Sequence, residues 1–419
     1  MNQLSEKLMI MKQLILVIAV FITITSAYAQ KNEKRDVAVF KTKQNGFYQD
    51  SILPAIENFN AEPQEPGTYL SMDFSKMDFP TDPAKYTQVW HNAPLSQGLT
   101  GTCWCFATTS FMESEVKRLN NIAVKLSEMY AVYWEYVARA EYFVAHRGEM
   151  TLGEGSEANG LTRIMKDHGL VPVSAYSGML PGQRFYDHSK LFEEIKDYLN
   201  QVKSQNAWNK EVVVSTVKEI LNHYMQEPPK SFNYQGQTYT PMTFMTDHCH
   251  INPQDYYCFM STKSQTYHQK DKLEVPDNWW NNSEYYNIYL DEFRDLLINA
   301  LESGYSVSVC GDVSEPGYDR YEEAGIIPDF DIPENYINAD AREFRFNNKT
   351  TTDDHCIHFV GIYNDGTHYW FMIKDSSSSG FDGPHKGYRF MREDYVKLKI
   401  LAAMLHKDGA RKVLDQIIK

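Results

Sequence analysis

The chain has 419 residues, of which 42% are hydrophobic and 14% aromatic. It can therefore bury one large core or two ordinary ones, and the composition excludes an intrinsically disordered chain. The formal net charge of −14 argues against nucleic acid or anionic lipid as a partner, because both carry negative charge themselves.

The N-terminus has the pattern of a secretory signal peptide. Lys7 and Lys12 precede the apolar run LILVIAVFITI, which is as long as a signal-peptide core and too short to span a bilayer. Ala27 and Ala29 follow in the A-x-A arrangement that signal peptidase reads, so we predict cleavage after Ala29. The mature protein is then exported, to the periplasm or beyond, and free of the membrane. Met11 is an alternative start, and an uncleaved membrane anchor is the alternative interpretation.

The first half of the mature chain predicts helices. Residues 30–95 are rich in proline and asparagine and predict an irregular segment. From Cys103 to Leu119 apolar residues fall on one side of a helix. Ser127 is a credible N-cap for a second helix with apolar residues at 3.6-residue spacing. A glycine-rich loop covers residues 153–160.

The second half changes from helices to strands. Predicted helices cover about 190–204, about 210–226 and Asp291 to Gly304. Predicted strands are YSVSVC, HFVGIY, HYWFMIK and GYRFM. The second and third strands flank Asn364-Asp365-Gly366, a hairpin turn signal. Residues 228–288 show little periodicity, Ser376 to Ser379 predict a flexible loop, and the chain ends in an amphipathic tail.

The chain has six cysteines, which are Cys103, Cys105, Cys249, Cys258, Cys310 and Cys356. In an oxidising compartment this even count allows three disulfides, although the spacings match no small disulfide framework. Cys103 and Cys105 are too close in sequence to bridge each other easily, and we interpret Cys105 as buried packing. If one cysteine is catalytic, an odd number remains and at least one more is free.

A histidine and a carboxylate occupy matching places in the predicted hairpin. His355 lies ten residues before Asp365, and Asp375 lies ten residues after it. In an antiparallel hairpin they should meet at the open end, where the carboxylate would fix the tautomer of the imidazole. A surface contact between the strands is the competing interpretation. His358 is interpreted as structural.

The stretch QGLTGTCWCF places a candidate nucleophile at the start of the first predicted helix. There the free N–H groups and the positive end of the helix dipole favour the thiolate of Cys103 over the thiol. Gln97 lies six residues upstream, and its amide could hold a developing oxyanion together with the backbone N–H of Cys103. The residues from His248 to His250 invite a metal site, but without matched partners we interpret them as a solvated loop.

Several segments in a shared order resemble papain-like cysteine peptidases. QGLTGTCWCFA resembles the active-site segment Q-x5-C-W-x-F-[AS]; LSEMY, DHCIHFVGI, IKDSS and GYRFM resemble later landmarks. The interval from Cys103 to His355 exceeds the roughly 130–150 residues of papain by about a hundred. A similar excess occurs in the bleomycin hydrolase and aminopeptidase C branch of the family. The chain also resembles that branch in the segments YTPMTFM, INPQDYYCFMS, LESGYSVSVCGDV and DHGLVPVSAYS.

The resemblance implies an α+β, papain-like fold of two subdomains with a helical insertion. The implied organisation is a signal peptide 1–29, an irregular lead-in 30–95, a helical half with the nucleophile 96–188, a mostly helical insertion 189–288, and a β-rich half 289–419 with the histidine, the aspartate and the tail. The implied catalytic residues are Cys103, His355 and Asp375, with Gln97 as oxyanion donor. Gly155 and Ser156 would pair with the substrate backbone. The implied partner is a peptide, no metal or other cofactor is needed, and the family often forms hexameric rings.

The sequence departs from the family at four places. Asp375 stands where the family has asparagine, which adds charge and favours the imidazolium. Ser377 replaces the tryptophan that shields this contact, so we expect a wetter pair and weaker catalysis. Thr100 replaces a cysteine that is disulfide-bonded in papain, so that bridge should be missing. The C-terminal arm of cytosolic members has no match in HKDGARKVLDQIIK, so aminopeptidase and endopeptidase action both stay open.

Two other functions remain as alternatives to a peptidase. Transglutaminase-like acyltransferases also have cysteine, histidine and aspartate in this order. The position of Gln97 and the segment LSE favour the peptidase over that enzyme. A non-catalytic peptide-binding relative is the alternative from a different class, because the changes at Asp375 and Ser377 affect the catalytic pair.

Overall fold

A computed structural model describes residue 5 and residues 7–16, 46–60 and 68–418, in two compact units, Met1–Thr68 and Tyr69–Lys419. In the first unit residues 7–16 are helical, and a π-helical turn, Tyr48–Ile52, precedes the helix Leu53–Asn60. The predicted cleavage site after Ala29 lies outside the described residues. Within the described ranges, no helix is long and apolar enough to cross a membrane.

The predicted irregular segment is helical in part, since it includes Leu53–Asn60. From Thr68 to Leu95 it contains short 3-10 turns, Phe74–Lys76 and Pro83–Lys85, and a two-residue strand. Each 3-10 turn begins after an aspartate whose carboxylate accepts a backbone N–H bond two residues on, a local cap that short polar side chains provide.

Among the described residues, most of the helices lie in the second unit. Their bounds are Cys103–Asn120, Glu128–Ala145, Ala158–His168, Ser189–Ser204, Lys210–Met225, Pro241–Thr243, Leu290–Glu302, Ala339–Asn347, Glu393–Lys399 and Arg411–Ile417. Ser127 caps the second of these, as predicted, by accepting a 3.1 Å bond from the N–H of Tyr130. The helix that starts at Cys103 ends before Asn121, which has the left-handed conformation usual at such ends.

The strands are β1 Thr87–Gln88, β2 Phe232–Tyr234, β3 Gln237–Tyr239, β4 Tyr256–Met260, β5 Gln269–Asp271, β6 Tyr285–Asn287, β7 Val307–Gly311, β8 Tyr318–Asp319, β9 Ala324–Gly325, β10 His355–Asn364, β11 Tyr369–Lys374, β12 Tyr388–Arg392 and β13 Ile400–His406. One large sheet has the order β5-β6-β4-β13-β7-β10-β11-β12-β9-β8, and β1 pairs with β10. β2 and β3 form a separate hairpin.

The two faces of the sheet are buried against different partners. Cys310, Cys356 and Met404 pack in the core of the helical half. Their strand neighbours Val309 and Ile357 pack in a second core with Phe293 and other residues of the helix Leu290–Glu302. This alternation is the period of two that a sheet covered on both faces requires. His355, at the start of the central strand β10, is thereby held at the end of a rigid element.

Two parts of the chain fold differently from their sequence pattern. The predicted amphipathic tail contains the strand β13, whose residues are all buried. The stretch 228–288 supplies β4, β5 and β6 to the large sheet. A strand that is apolar on both faces shows no alternation, and strands of three residues are too short to show one, so periodicity detects neither.

Candidate active site

Cys103 is the first residue of its helix, as predicted, and its side chain is half-buried. The preceding residue, Thr102, makes no side-chain cap to the helix; its hydroxyl is 2.7 Å from the hydroxyl of Thr100. The first N–H groups of the helix are therefore not satisfied by a Thr102 cap, and they place partial positive charge beside the sulfur. An electropositive, partly exposed position of this kind is typical of nucleophilic cysteines.

His355 and Asp375 meet at the open end of the hairpin, as predicted. Nε2 of His355 is 2.8 Å from Oδ1 of Asp375. The hairpin turns at Asp365, whose carboxylate accepts bonds from two backbone N–H groups of the turn. His358 is opposite Lys374 in the hairpin, so His355 and Asp375 are not directly opposite each other, yet their side chains are in contact.

Cys103 completes the group, because its side chain lies near enough to the His355 ring to act on the charge of that ring. Nε2 is bonded to Asp375, which leaves Nδ1 as the ring nitrogen available to the sulfur. Burial by itself lowers the pKa of His355, but the negative charges of Asp375 and Cys103 raise that pKa well above its usual value. The arrangement therefore favours the imidazolium form of His355 beside the sulfur.

Asp375 is surrounded by donors on both carboxylate oxygens. The backbone N–H of Ser377 donates to Oδ1 at 2.8 Å, and its hydroxyl donates to Oδ2 at 3.0 Å. Tyr318 donates to Oδ2 at 3.4 Å, and Nε of Arg389 lies 3.3 Å from Oδ2. That last contact is an ion pair rather than an aligned hydrogen bond, since Nε has no hydrogen-bond acceptor among the described residues. Burial raises the pKa of Asp375, but His355 and Arg389 together hold it well below its usual range.

One expectation about this pair is wrong, and the weaker catalysis stays a prediction. The pair is not wet, because Asp375 is 1% exposed and His355 is 9% exposed. Arg389, itself 1% exposed and stacked 4.5 Å over the ring of Tyr318, packs against the aspartate in a chain that lacks the family's tryptophan. The predicted loop from Ser376 to Ser379 bonds Asp375, Gln97 and Arg389 and runs into a 3-10 turn, Ser378–Phe381.

Gln97 is fixed at three points between the helix start and this serine segment. Its backbone N–H donates to the carbonyl of Ser376 at 2.8 Å, and its Oε1 accepts from the Ser376 hydroxyl at 2.8 Å. Its Nε2 donates to the carbonyl of Thr100 at 2.7 Å. One N–H of the amide remains for another acceptor.

The glycine-rich loop is attached to the start of the Cys103 helix. Glu154 accepts a 3.1 Å bond from the N–H of Gly101, and its carbonyl accepts a 3.2 Å bond from the indole of Trp104. The carbonyl of Gly155 accepts a bond from Arg139. Ser156 is 1% exposed, and its hydroxyl has no hydrogen-bond partner among the described residues. Of the two predicted substrate-binding residues, only Gly155 is partly open to solvent.

The other singled-out residues have structural surroundings. Cys105 is fully buried, as predicted, and its sulfur bonds the carbonyl of Glu128 at 3.1 Å. His358 is also buried, with Nδ1 2.9 Å from the hydroxyl of Ser110. Cys310 and Cys356 form a disulfide between β7 and β10. Within the described ranges, no group of three or more histidine, cysteine or acidic residues could hold a metal, the His248 region included.

Sequence reasoning missed Arg389 and Tyr318. Arg389 lies inside GYRFM, between two apolar residues of β12, and a charged residue in a central strand needs a buried partner. The aspartate in place of asparagine was the signal that a cation should lie nearby. Tyr318 is in a two-residue strand, which carries no sequence pattern.

Comparison with protein families matches residues 154–418, more than half of the chain, to the Peptidase C1-like family. The matched part contains His355 and Asp375 and begins after Cys103.

Two curated relatives are each named Aminopeptidase C. The one from Lactobacillus delbrueckii subsp. lactis is 22% identical over 401 residues, covering 82% of this chain and 86% of the relative. The one from Streptococcus thermophilus is 20% identical over 268 residues, covering 52% of this chain and 59% of the relative.

A solved structure, PepW from Lactobacillus rhamnosis, superimposes with a TM-score of 0.65 at 18% identity, covering 79% of this chain and 83% of PepW. This likeness supports the predicted fold. It also agrees with the observed layout, in which helices pack against a large sheet.

Proposed function

The chain belongs to the Peptidase C1-like family, in the bleomycin hydrolase and aminopeptidase C branch, and is a cysteine-type peptidase; from this premise we propose that it is an exported enzyme that hydrolyses peptides through Cys103, His355 and Asp375. The observation that carries the proposal is the position of His355. One ring nitrogen contacts Asp375, the other is left available, and the Cys103 side chain acts on the same ring. A base held between an orienting carboxylate and a nucleophile is the arrangement that covalent acyl transfer requires.

The proposed reaction proceeds through an acyl enzyme. The thiolate of Cys103 attacks the peptide carbonyl, and the free N–H of the Gln97 amide and the backbone N–H of Cys103 stabilise the oxyanion. The imidazolium of His355 then donates its proton to the leaving amine. In the second half, neutral His355 takes a proton from water, the hydroxide adds to the thioester, and the carboxylic acid leaves with the thiolate restored. Asp375 keeps the ring oriented throughout.

Export is the second part of the proposal. It rests on the signal-peptide pattern of residues 1–29. The disulfide between Cys310 and Cys356 supports it, because such bonds persist mainly in oxidising compartments. Cell fractionation and N-terminal sequencing of the mature protein test this part, with Gln30 expected as the first residue. A mature protein that retains the apolar run would contradict it.

The activity is tested with a peptide library and two proteins, the wild type and Cys103→Ala. We expect new amine ends with the wild type and none with Cys103→Ala, with Cys105→Ala as the matched control that keeps activity. Equal release by wild type and Cys103→Ala would leave the peptide-binding alternative. Incorporation of an amine into a glutamine donor without hydrolysis would indicate a transglutaminase.

Both relatives are named Aminopeptidase C, so the next question is whether cleavage requires a free amine end on the peptide. A free-amine peptide and its acetylated twin answer it directly. We propose removal of residues from the free amine end, so the acetylated twin should be cleaved much more slowly. Equal cleavage of both would establish endopeptidase action instead.

A further inference from the structure

One peptide group lies between the proposed oxyanion donor and a carboxylate that the proposed reaction does not use. It joins Thr100 to Gly101, two residues before Cys103. Its carbonyl accepts the 2.7 Å bond from Nε2 of Gln97. Its N–H donates the 3.1 Å bond to Oε2 of Glu154. Because the peptide group is planar and trans, its N–H and its carbonyl point in opposite directions, so Gln97 and Glu154 hold it from its two sides.

The carboxylate of Glu154 is itself held by buried groups. The hydroxyl of Tyr136 donates to Oε2 at 2.9 Å, and Nδ1 of His188 lies 3.7 Å from the same oxygen. Tyr136 and His188 are each 3% exposed. Burial raises the pKa of Glu154, but His188 and the N–H of Gly101 bring it below its usual value. The side chain is therefore an ionised acceptor in a fixed position, and such an acceptor makes a strong bond to a backbone N–H.

The backbone of Glu154 is attached to the same part of the chain. Its carbonyl accepts a 3.2 Å bond from the indole of Trp104, the residue after Cys103. A side-chain carbon on Gly101 would lie only 2.9 Å from Cβ of Glu154, so glycine at this position lets the two segments approach each other. Residue 154 is thus bonded to the chain on both sides of the nucleophile.

The amide of Gln97 depends on the peptide group for one of its two side-chain anchors. Its Oε1 accepts from the hydroxyl of Ser376 at 2.8 Å, and the carbonyl of Thr100 takes one of its two N–H groups. The second N–H is the one left for the oxyanion. If the carbonyl of Thr100 turned away, the amide could rotate about the bond to Ser376. The donor would then lose the fixed position on which stabilisation of an oxyanion depends.

We propose that Glu154 is a positioning residue for the oxyanion donor. Its carboxylate fixes the peptide group between Thr100 and Gly101, and that group in turn fixes the amide of Gln97. The inference rests on the proposed function for its effect on catalysis, whereas the position of the amide can be measured without any reaction. Because an oxyanion forms in the reaction and is absent from the bound peptide, loss of this positioning should lower kcat and leave KM nearly unchanged.

Two conservative variants separate the reach of the Glu154 side chain from its charge. Glu154→Asp keeps the charge but is one methylene shorter, so it should release the N–H of Gly101. We expect kcat to fall by about tenfold, which is part of the roughly 10²–10³ that a lost oxyanion donor costs. Glu154→Gln keeps the reach and an oxygen acceptor, so it should retain most of kcat. Glu149→Asp, the same change at an exposed position, is the matched control.

The opposite pattern would overturn the proposal. If kcat falls in Glu154→Gln and not in Glu154→Asp, the charge matters and the bond to Gly101 does not. Urea unfolding of each variant accompanies the kinetics, so that a loss of folded protein is not counted as a loss of kcat.

A double variant distinguishes positioning from a general structural effect. In Gln97→Ala the amide is gone, so adding Glu154→Asp should lower kcat by less than about threefold. A fall as large as the one that Glu154→Asp causes in the wild type would show that Glu154 acts on something other than Gln97, and the proposal would be wrong.

The side-chain amide of Gln97 reports its own position without catalysis. In protein with isotope-labelled glutamine side-chain nitrogen, its nuclear magnetic resonance signal is assigned by its absence in Gln97→Ala. We expect Glu154→Asp to move this signal toward that of a free amide and Glu154→Gln to leave it close to the wild-type position. If the wild type cleaves no peptide but the signal moves in this way, the proposed function fails and the positioning role stands. A signal that is identical in wild type and Glu154→Asp would overturn the positioning role.

Discussion

Nε of Arg389 lies 3.3 Å from Oδ2 of Asp375, while Oδ1 of the same carboxylate contacts His355. The aspartate that replaces the family's asparagine is thus balanced by a buried guanidinium, and both residues favour the ionised carboxylate although it is buried. The arginine stacks on Tyr318 and donates to Ser379 at 3.0 Å, so its own position is fixed.

Asp375 and Arg389 should behave as a coupled pair in stability. Asp375→Asn leaves a buried cation without its partner, and we expect a loss of about 3–5 kcal/mol in the free energy of unfolding. Arg389→Met combined with Asp375→Asn should lose much less than the sum of the single changes. Urea unfolding of the four proteins measures this coupling. Additivity within about 0.5 kcal/mol would show that the ion pair is absent.

The pH profile should show the effect of Asp375 on His355. Because Asp375 and Cys103 raise the pKa of His355, the imidazolium persists through neutral pH and is lost only as pH rises through that raised pKa. We therefore expect kcat/KM to fall on the alkaline side of neutrality. In Asp375→Asn the stabilising charge is gone, so the alkaline fall should begin at lower pH. An unmoved alkaline limb in this variant would contradict the assignment.

The same shifts define how stability depends on pH. The raised pKa of His355 stabilises the fold fully below the unfolded value near 6.5, and this contribution disappears as pH rises through the folded pKa. The lowered pKa of Asp375 stabilises above about 4 and is lost on acidification. Wild type should therefore exceed Asp375→Asn in stability most clearly near pH 5–6, as measured by denaturant unfolding across pH.

Gln97 should contribute to kcat more than to KM. Gln97→Ala removes a donor to the oxyanion, and such changes lower kcat by roughly 10²–10³. Ser376→Ala removes only the bond that orients the Gln97 amide, so we expect a smaller loss, of a few fold. Steady-state kinetics of both variants measures these effects. A Gln97→Ala protein with unchanged kcat would show that its amide does not face the reacting carbonyl.

The disulfide should stabilise the sheet next to His355. Cys310 and Cys356 close a long loop between adjacent strands, so removing the bond should cost about 2–4 kcal/mol of unfolding free energy. The double variant Cys310→Ala with Cys356→Ala should unfold at the same denaturant concentration with or without reductant. Wild type should unfold earlier when a reductant is present. If reductant has no effect on wild type, the bond is not formed in solution.

The parts of the site that sequence could predict have local signals. The helix start at Cys103, the cap at Ser127 and the turn at Asn364 to Gly366 follow from short-range patterns, and the hairpin then places His355 beside Asp375. The resemblance to the papain-like family predicted that the distant segment around Cys103 meets this hairpin.

The rest depends on tertiary packing. Arg389 and Tyr318 reach Asp375 from separate strands, and no spacing connects them. The expectation of a wetter pair was wrong for the same reason, since the replacement for the missing tryptophan comes from a different strand.

Alkylation of the free cysteines tests the central claim most directly. Wild type and His355→Ala are treated with iodoacetamide at pH 6, and modified cysteines are identified by mass spectrometry. We predict that wild type is modified at Cys103 far ahead of the buried Cys105, Cys249 and Cys258, and that His355→Ala slows this reaction strongly. Modification of Cys103 at the same rate in both proteins would contradict the proposed ion pair, and with it the catalytic role of His355.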